Sequence, residues 1–193
     1  MLFKKLFFPG EVGTMARNKR SRAKDEKRDE IVAAARRLYI EAGYDATTMS
    51  RLAKEAGVAP NTIYWYFGDK DDVLLAVLSA VTADVWPRYQ AVADQPVAIR
   101  LLWVVRQLQE MGHLVTTVHA RVADSTAIAE WHDNFHVITG ALFRHELEAL
   151  GVPPATAEAE VMIGIFTIEG LLMHTRNEQQ QRDICEALAG RWA

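Results

Sequence analysis

Side chains able to recognise DNA bases are concentrated between Thr47 and Phe67. This segment reads TTMSRLAKEAGVAPNTIYWYF, in which hydroxyl, amide and aromatic groups lie close together along the chain. An asparagine amide can form two hydrogen bonds with an adenine edge, hydroxyls can bond to several bases, and aromatic rings can contact thymine methyl groups. The candidate base-contacting residues are Ser50, Asn61, Thr62, Trp65 and Tyr66.

The elements that must position these side chains are two short helices joined by a tight turn. A helix-turn-helix needs a small residue where the helices touch, a glycine with positive φ at the turn, and an aliphatic residue that anchors the second helix. Ala53, Gly57 and Ile63 meet these needs in register. The spacing therefore predicts that the second helix enters the major groove while the first lies across the DNA backbone.

The residues from Ala56 to Lys70 resemble the signature of the TetR family. They read AGVAPNTIYWYFGDK and are similar to the family pattern A-G-V-x-x-x-T-x-Y-x-Y-F-x-x-K, which acidic residues and a leucine follow. The resemblance is close over residues 25–75 and otherwise extends only to helix number, chain length and the character of the C-terminal helices. It implies that Thr48, Thr62 and Tyr64 bind DNA phosphates. It also implies that a ligand in the body changes the spacing of two DNA-binding heads and releases the operator.

The position of Lys70 in its helix favours a role in binding phosphate. A cation in the first turn of a helix opposes the helix dipole, and a DNA phosphate would offset that cost. Helix capping explains Thr48 equally well, and Tyr64 has an alternative interpretation as a core residue. No Lys or Arg lies between Val58 and Phe67, so we expect specificity to depend on Asn61, aromatic contacts, DNA shape or the N-terminal arm. The arm offers Arg17, Lys19, Arg20 and Arg22 for an adjacent minor groove or for phosphates.

Charge is distributed unevenly along the chain. The net charge is −3, but residues 1–28 hold nine Lys or Arg against three Asp or Glu, which gives +6 there and leaves −9 for the remainder. A basic end on an acidic body is expected when only one end of a protein meets DNA. The single cysteine, Cys185, excludes an intramolecular disulfide and favours a cytoplasmic protein.

Helical periodicity runs through almost the whole chain and predicts an all-α protein of about nine helices. We expect residues 1–23 to be a disordered basic arm, residues 24–70 to be the helix-turn-helix DNA-binding domain, and residues 71–193 to be the ligand-binding and dimerisation body. Met15 is an alternative start, in which case residues 1–14 would not be native. Pro87 should kink or split the fourth helix, and a single fifth helix should run from Pro96 to beyond Val115.

The segment 155–176 is apolar on more than one side, so a second copy of the chain is expected to cover it. This predicts a homodimer. The proposed interface residues are Val161, Ile165, Ile168 and Leu172. Aromatic and polarisable side chains of the body are candidates for a ligand pocket, which would suit a hydrophobic or amphipathic molecule. They are Trp86, Tyr89, Trp103, Met111, His113, Trp131, Phe135 and Phe166.

Two alternative classes were weighed against a DNA-binding regulator. His132 and His136 lie one helical turn apart and are similar in spacing to a zinc-binding H-E-x-x-H motif, but an exposed histidine pair explains them simply. A helical interaction module accounts for the apolar C-terminal helix but not for Lys70 or the basic arm. We therefore expect a one-component regulator that binds a palindromic operator as a homodimer, and the family resemblance implies that it is a repressor. It is expected to be no enzyme, to need no cofactor or metal, and to have no contact with membranes.

Overall fold

The computed structural model of the protein describes residues 19–174 and 176–192. The predicted arm up to residue 18, including Arg17, lies outside these ranges, as does the question of the native start. The described residues form nine α-helices and no strand, which confirms the predicted all-α class. The helices are α1 (Lys19–Glu41), α2 (Met49–Glu55), α3 (Pro60–Tyr66), α4 (Lys70–Gln90), α5 (Val97–Glu110), α6 (Gly112–Arg121), α7 (Thr126–Ala149), α8 (Pro154–Met173) and α9 (Glu178–Ala189).

The chain divides into two compact units. The first comprises residues up to Asp84 together with His113–His132, and the second comprises Val85–Gly112 together with the residues from Asp133 onward. This division groups residues that pack together. The boundary predicted at residue 70 instead separates an expected DNA-binding segment from an expected ligand-binding one. The proposed DNA-binding and body domains therefore stay predictions.

The first unit is organised around one aliphatic and aromatic core. Ile31, Ala35 and Leu38, spaced by three or four residues, place one face of α1 against this core. Leu52 of α2, Ile63 of α3 and Leu74 of α4 are almost fully buried in the same unit. Because each short helix supplies at least one buried side chain, α2 and α3 are fixed by tertiary packing and not by their own helix propensity.

The second unit has a core formed mainly by α5, α7, α8 and α9. Buried side chains from these helices include Leu102, Val105, Leu147 and Val161, and Trp192 closes the cluster after the end of α9. The indole Nε1 of Trp192 donates to Glu160 Oε2 at 2.9 Å, and the Arg191 guanidinium donates to both oxygens of the same carboxylate. The last described residues are thereby attached to α8.

Three helix boundaries differ from the expectations. Helix α1 begins at Lys19, so residues 19–23 of the predicted disordered arm are helical, because the run from residue 19 is rich in good helix formers. The predicted fifth helix is two helices, since Met111 leaves helical geometry at φ −104° and ψ 23° and Gly112 follows it. Helix α4 runs through Pro87 without being split, although the proline has no amide to donate to the carbonyl one turn earlier.

Three of the four predicted dimer-interface residues pack inside their own unit. Val161 is only 3% exposed, and Ile165 and Ile168 pack partly buried against the same core, so their assignment needs correction. Leu172 is half-buried, and its place in an interface stays a prediction. The apolar pattern of α8 covers almost its whole circumference, which left the outward face ambiguous in the sequence. The structure shows that the exposed apolar side chains of α8 are Met162, Ile163, Phe166 and Met173.

Candidate nucleic-acid interface

The start of α2 is built by a capping hydroxyl. The Thr48 side chain accepts a hydrogen bond from the Arg51 amide at 3.1 Å, as the capping interpretation predicted. Thr48 and Ser50 are both exposed at this end of the helix. The cap therefore does not hide the Thr48 hydroxyl, and its second lone pair and proton stay accessible.

The turn between α2 and α3 has the geometry predicted from its spacing. Gly57 has φ +64°, in the left-handed region that glycine tolerates best. Ala53 and Ile63 are buried on either side of it, and the Val58 amide donates to the Ala53 carbonyl at 2.9 Å. These contacts hold α3 in the orientation of a recognition helix.

Helix α3 presents its polar and aromatic side chains outward. Trp65 is 65% exposed and Tyr64 is 52% exposed, and Asn61 is exposed on the same short helix. Large aromatic side chains that serve only packing are usually buried, so two exposed rings on one short helix indicate another role. Thr62 and Tyr66 are half-buried, and the ring of Tyr66 meets Trp65 edge-on with the centroids 4.7 Å apart. The core interpretation of Tyr64 is therefore not supported.

Lys70 lies in the first turn of α4 with its ammonium 3.8 Å from the centre of the Tyr44 ring. Burial lowers the pKa of Lys70 from its ordinary value, and the positive charge of Arg121 acts in the same direction. Two acids cap the same turn, because Asp69 accepts from the Asp72 amide at 2.9 Å and Asp72 accepts from the Gly68 amide at 2.9 Å. The carboxylates of Asp69 and Asp72 thus cap the start of α4. Lys70, in contrast, lies in surroundings that disfavour its charge.

A polar cluster beside Lys70 was not found from the sequence. Asp71 accepts hydrogen bonds from the Tyr44 hydroxyl and from Arg121 Nη2, the latter at 2.7 Å. Burial by itself would raise the pKa of Asp71, but the bonds from Arg121, Tyr44 and Ser125 outweigh it and lower the pKa below its ordinary value. Asp71 and Arg121 are 50 residues apart, so no local pattern could have paired them.

The candidate pocket residues are only partly brought together. In the second unit the Trp86 and Tyr89 rings stack with centroids 6.0 Å apart, and Tyr89 is 5.8 Å from Trp103. Phe166 is 61% exposed and therefore does not line an enclosed pocket of its own chain. Met111 and Phe135 belong to the second unit, whereas His113 and Trp131 belong to the first.

The aromatic group of the second unit adjoins a partly buried ion pair. Arg100 Nη1 donates to Glu146 Oε2 at 2.8 Å, and the Tyr89 hydroxyl donates to Glu146 Oε1 at 2.6 Å. Burial raises the pKa of the Tyr89 hydroxyl, and its bond to Glu146 adds to the effect. Charged and aromatic groups therefore meet at one place, a combination that the sequence did not predict.

The two histidines weighed as metal ligands have other neighbours. His132 meets the ring of His119 edge-on at 5.2 Å, and His136 Nε2 is 3.7 Å from Glu169 Oε1. Within the described ranges, no group of three or more His, Cys, Asp or Glu side chains is arranged to hold a metal ion. No helix in the described part of the chain is long and apolar enough to cross a membrane.

The helix-turn-helix segment of the chain matches a known protein family. The model of the bacterial regulatory proteins of the tetR family matches residues 31–77, which contain α2, α3, the C-terminal part of α1 and the start of α4. The chain is a member of the TetR family. It is accordingly a DNA-binding transcriptional regulator and not an enzyme, as the sequence predicted.

The chain is also similar to individual bacterial transcriptional regulators. The regulator HbdR of Aromatoleum sp. (strain CIB) is 47% identical over 57 residues, which are 30% of this chain and only 25% of HbdR. SrpR of Pseudomonas putida is 28% identical over 192 residues, covering 93% of this chain and 89% of SrpR. A transcriptional regulator from Saccharomonospora viridis, solved in complex with choline, shares the fold with a TM-score of 0.69 at 19% identity, over 86% of this chain and 95% of its own.

Proposed function

We propose that this TetR-family regulator is a ligand-responsive repressor that binds a palindromic operator as a homodimer in the cytoplasm. The observation that carries the DNA-binding part is the exposed face of α3, where Asn61, Tyr64 and Trp65 project from a helix anchored by Ile63. An anchored helix with exposed amide and aromatic groups suits insertion into a major groove. Repression, rather than activation, is the family's usual role.

The proposed contacts fall into two groups. Thr48, Thr62, Tyr64 and Lys70 offer hydroxyl and ammonium donors for phosphates, which fix the register of the protein on DNA. Ser50, Asn61, Trp65 and Tyr66 are proposed to read base edges and thymine methyl groups. Tyr66 and Thr62 are half-buried, so we give the larger share of base recognition to Asn61 and Trp65.

Dimerisation is proposed to use the exposed apolar face of α8. Met162, Phe166, Gly170 and Met173 recur every three or four residues and therefore lie on one side of that helix. On α7, Val137 is exposed next to His136, whose side chain reaches Glu169 of α8. Large exposed apolar groups on two adjacent helices favour a helix-bundle interface with a second copy.

The effector is proposed to be a small amphipathic molecule bound in the second unit. Trp86, Tyr89 and Trp103 supply aromatic surface, and the Arg100–Glu146 pair supplies groups that could orient a polar end. The choline complex of the Saccharomonospora viridis regulator supports a small organic ligand in this fold. To release DNA, the effector must bind the non-binding conformation more tightly than the binding one.

The decisive experiment is selection of bound duplexes from a random DNA library by the full chain at near-physiological salt. We expect a palindrome whose half-sites lie about one helical turn apart, because a two-fold dimer presents two recognition helices. Recovery of only sequence-blind, salt-sensitive binding would contradict a specific repressor. The recovered operator would then serve to screen small molecules for release.

A further inference from the structure

The recognition helix carries no cation, so the charge that binds DNA must come from other elements. Residues 58–67 contain neither Lys nor Arg. Affinity for DNA depends strongly on neutralising phosphates, and a reader without its own cations needs them close by. Helix α1 meets this need through two cations, Lys24 and Arg28, that are neither in the family pattern nor among the arm residues predicted to bind DNA.

Two cations of α1 lie against the C-terminal end of α3. Lys24 Nζ is 4.4 Å from the centre of the Trp65 ring, and Arg28 Cζ is 5.0 Å from the centre of the Phe67 ring. Lys24 and Arg28 are four residues apart and therefore lie on one face of α1. Because Trp65 is the most exposed ring of α3, this face borders the surface proposed to enter the groove.

These two cations are distinguished from their neighbours by the absence of an acidic partner among the described residues. On the same helix, Arg22 is paired with Glu26, Lys27 with Glu30, Arg36 with Asp84 and Arg37 with Glu55. Lys24 and Arg28 are exposed, and each has its charged group over an aromatic ring. An aromatic ring beneath a cation holds the cation in place. The N–H groups of the cation stay available to donate to another acceptor.

We propose that Lys24 and Arg28 each bind a DNA backbone phosphate at the edge of the half-site, which makes α1 a second DNA-binding element. The inference rests on the proposed DNA-binding function. Trp65 and Phe67 hold the two cations beside the groove, so the phosphates are met by charges already in position. These contacts add affinity and register without reading sequence.

The test is the salt dependence of operator binding by the full chain. The variants are Lys24→Met, Arg28→Met and the double variant, since methionine keeps an apolar stem on the ring and removes only the charge. We expect each single change to lower the slope of log K against log salt by about 0.9 and the double change by about twice that. Base preference should not change, and Lys24→Arg should retain the wild-type slope.

Lys27→Met is the matched control, because Lys27 lies between the two on α1 but its ammonium is bonded to Glu30. A control slope close to that of the wild type would support direct contacts by Lys24 and Arg28. The proposal is overturned if the double variant, shown by thermal unfolding to be folded, keeps the wild-type slope. An equal loss of slope in Lys27→Met would also overturn it, since net charge would then explain the effect.

The experiment separates this inference from the proposed function. If the wild type bound no duplex at all, the proposed function itself would fail. If the wild type bound its operator and the variants kept the wild-type slope, only this inference would be refuted.

Discussion

At the scale of single residues, the first unit places a charge where folding disfavours it. Lys70 lies in the first turn of α4, where the helix dipole repels a cation, and burial lowers its pKa. A lowered pKa means that the folded state holds the charged form less well than the unfolded chain does. The residue thus contributes little to folding, which is consistent with a role in binding.

Lys70→Met is expected to weaken DNA binding without lowering stability. The methionine stem still covers the Tyr44 ring, while the missing charge removes one phosphate contact, so the salt slope should fall by about 0.9. Thermal unfolding should show a midpoint equal to or above that of the wild type. A lower midpoint together with an unchanged salt slope would mean that Lys70 is a packing residue.

The charge of Glu160, unlike that of Lys70, stabilises the fold of the second unit, where its partners lie. Hydrogen bonds from Arg191 and Trp192 lower the pKa of Glu160 to about 2. A depressed folded-state pKa adds stability above the unfolded value of about 4.3, and that stability is lost as the pH falls toward the folded-state value.

Glu160→Gln should therefore destabilise the protein at pH 7 and reduce the loss of stability on acidification. Unfolding midpoints of variant and wild type should differ at pH 7 and approach each other as the pH falls below about 4. Glu148→Gln, at an exposed carboxylate of α7, serves as the control. A constant difference between Glu160→Gln and wild type at every pH would argue against an ionised Glu160 as the stabilising group.

At the scale of elements, α7 and α8 pack so closely that one glycine is required. A Cβ added at Gly164 would lie 2.2 Å from Cε1 of Phe143, whose ring also meets Trp192 edge-on at 5.2 Å. Phe143 has little freedom to move away, because it packs against the core of this unit. The closeness of the two helices in the second unit thus depends on the missing side chain.

Gly164→Ala is expected to destabilise the protein by about 1–3 kcal/mol, since overpacking outweighs the better helix propensity of alanine. Gly140→Ala on α7 is the control, because its Cβ would meet Val161 at 3.7 Å, an ordinary contact distance. We expect the control to be neutral or stabilising by up to about 1 kcal/mol in chemical unfolding. Equal stability of the two variants would contradict the close α7–α8 packing.

At the scale of the whole molecule, an exposed apolar face on α8 favours the proposed homodimer. Phe166 and Met173 are each more than half exposed, although the inward side of α8 already packs on a complete core. Such surface is costly in water unless something covers it. A second copy is the cover that the two-fold operator of the proposed function also requires.

Phe166→Glu is expected to convert the protein to a monomer at micromolar concentration, as measured by sedimentation, because it introduces a charge into the proposed interface. Ile99→Glu is the control, at an exposed apolar residue of α5 in the same unit. Operator affinity should fall with loss of the dimer, since the two half-sites would be bound separately. A Phe166→Glu protein that sediments as a dimer would exclude this face.

The sequence by itself determined the helical class, the helix-turn-helix and its caps, because these depend on residues within a few positions of one another. Gly57, Ile63 and Thr48 each act over one or two helical turns, and their roles were therefore readable. Only the tertiary structure decided which side of α8 faces outward, because apolar residues surround that helix and only its neighbours define an inside. It likewise paired Asp71 with Arg121 and set Lys24 on Trp65, since contacts between distant segments follow from packing and leave no local pattern in the sequence.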